Sequence, residues 1–134
     1  MPNAALLRAT LRHIRTHPET WIQMDYRRGS AGCFAYHAAL LAGAQLASPA
    51  ATVERRPSGK PWPNHDPYLV PNRSARDLGF TQDEKIHLAD FARRALDLDD
   101  ESACTLFDAA NSLADLERLV DALTSQSASE RSEG

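Results

Sequence analysis

Ala31-Gly32-Cys33-Phe34-Ala35-Tyr36-His37-Ala38-Ala39-Leu40-Leu41-Ala42-Gly43-Ala44-Gln45-Leu46 decides the fold of this chain. The stretch is apolar almost all round, the pattern of a helix covered on every side. Ala35, Ala38, Ala39, Ala42 and Gly43 are small enough to let neighbouring helices come close. A central helix over 31–46 is therefore expected, and the flanking chain has to supply the elements that cover it.

On the N-terminal side, residues 3–17 have the spacing of an amphipathic helix. Leu7, Leu11 and Ile14 form an apolar stripe, widened by Leu6, with Arg8, Arg12 and Arg15 opposite. Pro18 ends it by forcing the preceding residue out of helical geometry. Trp21-Ile22-Gln23-Met24-Asp25-Tyr26 then alternates large apolar with polar side chains, which predicts an extended connector or a small hairpin. Six of the eight prolines fall between residues 47 and 80, so a long proline-rich loop is expected there, with a helical turn or two near 72–78. Thr81-Gln82-Asp83-Glu84 has the form of a capping box for a helix burying Leu88, Phe91, Ala92, Ala95 and Leu96. Asp99 or Asp100 caps a short helix carrying Ala103, Leu106 and Phe107. Asn111 stops it, and Ser112 with Asp115 caps a last helix carrying Leu113, Leu116, Leu119, Val120 and Leu123. Residues 125–134 have nothing to bury and are expected to form a disordered tail. The reading is an all-α domain over 1–124: a compact bundle of about five helices, a short extended segment and the loop over 47–80.

A chain of 134 residues can bury a core of this kind without disulfides or metals. No apolar run approaches the length of a membrane span and no signal-peptide layout is present, so a cytoplasmic protein with no membrane partner is expected. Cys33 and Cys104 suit reduced thiols better than a secreted disulfide framework. Residues 1–60 carry eight basic and three acidic side chains, and residues 61–134 seven basic and fifteen acidic. The arginines are scattered without interleaved aromatics, so nucleic-acid binding is not indicated.

Several fragments resemble a group of small uncharacterised actinobacterial and actinophage proteins. They are the Trp-x-Gln element at 21–23, the Cys-Phe-Ala start at 33–35 and Leu106-Phe107-Asp108-Ala109-Ala110-Asn111-Ser112-Leu113-Ala114-Asp115-Leu116. The resemblance covers roughly 5–46 and 95–124 and implies a shared fold but no assigned activity.

Cys33 is the clearest candidate for chemistry. A thiol in the first turn of a helix lies near unpaired N–H groups and the positive end of the dipole, which favour thiolate. As a nucleophile it needs a histidine base, which His65 with Asp66, or His87, could supply, while His37, one turn along the same helix, could instead lower the thiol pKa. His13 and His17, with Cys33 and His37, repeat a four-residue spacing that could converge on zinc, although capping and packing explain these positions as well. No metal or other cofactor is expected. A binding face is the other expectation. Trp21, Trp62 and Tyr68, with Arg27, Arg28, Arg55 and Arg56, would suit a protein partner or a small anionic ligand, and Tyr26 and Tyr36 could line the same groove. The expected function is therefore that of a small non-catalytic accessory protein, with a thiol-dependent enzyme centred on Cys33 as the alternative.

Overall fold

The stripe of Leu7, Leu11 and Ile14 lines the buried side of α1 (Ala4–Thr16) in the computed structural model, which describes residues 2–28, 31–47, 51–55, 61–63, 66–81 and 83–133. Asn3 caps this helix: its Oδ1 accepts from the Leu6 N–H at 3.1 Å. The Asn3 backbone N–H and Nδ2 donate to the carbonyls of Leu96 and Ala95, at 2.8 and 3.2 Å. One asparagine thus starts α1 and fastens it to the end of α4 (Leu88–Leu96). A 3₁₀ turn, Pro18–Thr20, follows.

The apolar stretch forms α2 (Phe34–Leu41), with Phe34, Ala35 and Ala38 fully buried. α2 packs chiefly against α4 and α1, so it is central, as expected. It is shorter than 31–46 because Gly43 closes it. At φ +95°, Gly43 donates its N–H to Leu40 O at 3.1 Å, and the Ala44 N–H reaches Ala39 O at 3.0 Å. That pair of bonds is a Schellman motif, which needs a left-handed residue after the cap.

The Trp21–Tyr26 segment is an irregular connector, without a strand of its own. Isolated bridges join Trp21 to Gly32 and Arg28 to Ala31, and the Cys33 N–H donates to Asp25 O at 2.9 Å. Gly32 is required here, because a Cβ would come within 2.5 Å of both Tyr26 O and Tyr36 Cγ.

The proline-rich region holds more regular structure than its composition suggests. β1 (Ala51–Arg55) pairs antiparallel with β2 (Pro61–Pro63), and β3 (Tyr68–Leu69) with β4 (Ile86–His87). Proline forfeits a donor, but an isolated two-stranded ribbon leaves one side of each strand outside the ladder, where that loss costs little. Hydrogen bonds from Ala47 N to Tyr68 O (3.0 Å) and Val70 N to Gln45 O (2.8 Å) hold the two ends of this region side by side. The expected helical turn is α3 (Arg73–Asp77), capped by Asn72.

The Thr81–Glu84 capping box does not form. Ile86 is buried and His87 pairs with Tyr68, so the chain stays extended past residue 84 and α4 begins only at Leu88. His87 caps it instead. The other two caps stand as read. Asp99 accepts from Ser102 N at 2.7 Å ahead of α5 (Asp100–Leu106), and Ser112 and Asp115 bond reciprocally at the start of α6 (Leu113–Glu133). The α6 backbone helix is described as far as Glu133. The architecture is all-α, with six α-helices among the described residues and only two-stranded sheets. None of these helices is long and apolar enough to cross a membrane.

Candidate functional site

Gln23 organises one wall of a hollow among the described residues. Its Oε1 accepts from Trp21 Nε1 at 2.9 Å and from the Phe34 N–H at 3.2 Å. Its Nε2 donates to the carbonyls of Leu106 (3.3 Å) and Asp108 (2.9 Å). A buried amide with both ends engaged is fully satisfied, so it fixes its surroundings without an electrostatic cost. The connector after α1 is thereby bound to the first turn of α2 and to the end of α5.

Beside this clasp lies a cleft of about 450 Å³ between the connector, α4 and α5. Cys33, Ala89, Ala103 and Phe107 contribute apolar walls, and Met24 and Tyr26 stand at it, 80% and 45% exposed. The charged lining is Asp90, Asp100 and Asp108 against Arg93, whose Nε lies 3.4 Å from Asp100 Oδ1. Carboxylates are in excess.

Cys33 occupies the N-cap of α2 but is only 1% exposed, and its side chain makes no capping bond. Burial pushes the thiol pKa up, and the N–H groups of Tyr36 and Ala35 offset this only in part; Asp25 adds to the rise. The position is the one the sequence suggests, while the environment favours the neutral thiol. His37 is buried, its Nε2 2.8 Å from Thr20 O, and burial lowers its pKa. His87 is also lowered by burial, and its Nδ1 accepts from the Ala89 N–H at 3.0 Å. Both imidazoles are engaged by backbone. His65 lies outside the described residues.

The rings of His13, His17 and His37 do come together, with centroid separations of 4.7 Å for His13–His17 and 5.1 Å for His13–His37. Among the described residues, however, no group of three His, Cys, Asp or Glu side chains is arranged to hold a metal.

The expected binding face is divided. Arg27 is 1% exposed, its Nη1 donating to Asp66 O at 3.3 Å, so it lies inside the molecule and not on a basic rim. Trp21 is half-buried against the core, Tyr36 is buried, and Arg28 is exposed. Arg56 and the side chains of Arg55 and Trp62 lie outside the described residues. Tyr68 is 43% exposed and meets Tyr26 at a residue the binding face did not include. Both tyrosines stand edge-on to His87, at 4.8 Å and 87° for Tyr26 and 5.7 Å and 82° for Tyr68. Only the pairing of β3 with β4 brings His87 there, and no local signal announces it.

Neither a known protein family, nor a curated protein, nor a solved structure matches this chain.

Proposed function

We propose that this protein is a small non-catalytic interaction module, and that a partner segment docks at the cleft between the 21–33 connector and α4–α5. The observation that carries the reading is Met24, 80% exposed beside a cleft with apolar walls. An unbranched thioether adapts to varied partners, and burying it against one contributes about 2 kcal/mol. The excess of carboxylates around the cleft favours a basic, partly apolar segment. The anionic ligand anticipated from the loop arginines draws less support, since Arg27 is buried. The thiol-dependent alternative also draws less support, because it rests on a sulfur held in its neutral form. Free thiols at Cys33 and Cys104 support a reducing, cytoplasmic setting.

The test is an array of short peptides graded in basic and apolar content, probed with the wild-type chain, Met24→Glu and Cys104→Trp. Cys104 is exposed and lines the cleft, so the tryptophan fills it. Retention of a basic-apolar subset by the wild type, lost in both variants at unchanged melting temperature, supports the reading. Equal retention by all three removes it.

A further inference from the structure

Tyr26 and Tyr68 are two of the four large hydrophobic side chains left exposed among the described residues, and they share a neighbour. Exposed tyrosine rings are ordinary one at a time. Two held edge-on to a third ring are a built surface, because each ring is oriented by its own part of the fold. Tyr68 faces His87 as its antiparallel strand partner. His87 is fixed by its capping bond to Ala89. Tyr26 is held by the connector, whose Asp25 carbonyl accepts from Cys33 N.

Carboxylates flank the trio on both sides. Asp90 shares the cleft with Tyr26, and Asp83 and Glu84 share a second, open hollow with Tyr68. Lys85 also lines that hollow, and Arg93, Asp100 and Asp108 line the first, so across the two hollows five carboxylates stand against two cations. Aromatic faces carry negative quadrupole density, and a cation over two or more of them is bound by that field together with nearby carboxylates.

We infer that Tyr26, His87 and Tyr68 form a binding site for an alkylated ammonium group, presented as the side chain of a methylated lysine. This rests on and deepens the interaction reading by naming the chemistry accepted beside the cleft, which shares Tyr26 with the trio. Burial keeps His87 neutral near pH 7, so its ring acts as an aromatic wall and not as a competing charge. Desolvating a quaternary ammonium costs less than desolvating a primary one, which favours the methylated form at a half-exposed site.

Proton NMR titration tests the assignment, with three probes: tetramethylammonium chloride, the N-acetyl methylamide of trimethyllysine, and its neutral analogue with carbon in place of nitrogen. Saturable upfield shifts of the N-methyl protons are expected, with the neutral analogue bound about fivefold or more weakly. Tyr26→Leu and Tyr68→Leu keep apolar area but remove the ring, and each should weaken the cations about fivefold. Asp90→Asn should weaken them about twofold. Tighter binding of the trimethyllysine amide than of tetramethylammonium identifies a side chain as the source; equal binding assigns the site to a free quaternary ammonium and overturns the lysine assignment. Equal affinity for the neutral analogue, or no saturable shift with either cation, overturns the site. The two readings fail separately: absence of saturable tetramethylammonium shifts overturns the ammonium site, while retention of basic-apolar peptides by the wild type still supports docking at the cleft.

Discussion

Trp21 and Gln23, two residues apart, are joined by a 2.9 Å hydrogen bond from the indole Nε1 to the amide Oε1. That bond orients an amide whose remaining contacts reach residues 34, 106 and 108. Gln23→Ala would leave the Phe34 N–H and two carbonyls without their partner, and a loss of about 3 kcal/mol in urea denaturation is expected. Trp21→Phe removes one donor only and should cost about 1 kcal/mol. Equal, small losses in both would show that the clasp carries no weight.

Acid should weaken this protein, beginning near neutrality. His37 and His87 both have folded pKa values below the unfolded value of about 6.5. Between the folded and unfolded values the unfolded chain binds more protons, so stability rises with pH there. The contribution is complete above about pH 6.5 and is lost as pH falls through the folded values. Protonated His37 would face His13 and His17, with the Thr20 and Gly32 carbonyls acting against that repulsion and the Tyr36 ring edge-on beside it. His87 would gain a proton at the atom that accepts from Ala89, with Asp90 as its nearby anion and the rings of Tyr26 and Tyr68 beside it. The urea midpoint should therefore drop between about pH 7.5 and 5, and His37→Gln should flatten that slope.

Gly32→Ala should be among the most damaging single-methyl additions. The new Cβ meets a backbone oxygen and a ring carbon, both at 2.5 Å, and neither belongs to a flexible chain end. A loss of about 2–3 kcal/mol in urea denaturation is expected, together with a shifted Tyr36 resonance. Gly79→Ala provides the contrast. Its φ is +94°, so strain acts, but the nearest atom is an arginine tip at 3.5 Å, and a loss of about 1 kcal/mol is expected.

The two cysteines should separate cleanly under alkylation. Cys104 is exposed and Cys33 is 1% exposed with a raised pKa. Iodoacetamide at about pH 8 should give a single adduct at Cys104 by mass spectrometry, and two once urea is added. A native adduct at Cys33 would revive the enzyme reading.

The parts legible in the sequence are those governed by short-range rules. Asp99, and Ser112 with Asp115, cap helices within three residues of themselves, and both caps form as read. The leucine spacing of α1 and the small-residue composition of α2 likewise mark buried faces directly. Thr81–Glu84 satisfies the same local rule and fails, because strand pairing of Tyr68 with His87 extends the chain beyond it. The site was less legible because its parts are distant in sequence. Gln23 meets Leu106 across 83 positions, and Arg27 meets Asp66 across 39. An arginine in a loop reads as solvated until the carbonyl that receives it is known. Tyr26 and Tyr68 could be named as groove residues, but not the imidazole that unites them.

The paired feet of the proline-rich region have a consequence for engineering. Ala47 and Tyr68 are hydrogen-bonded, and Leu46 bridges Leu69, so the polypeptide leaves the bundle and rejoins it at one spot. The described part of the chain between these feet includes the β1–β2 ribbon. Replacing residues 48–65 with a short turn, while keeping Asp66 for Arg27 and Pro67 for the Leu88 N–H, would shorten the loop to be closed and recover about 1 kcal/mol of closure entropy. A shortened chain of that kind would keep Tyr68, His87 and the whole helical framework, and would be the natural starting point for grafting foreign loops.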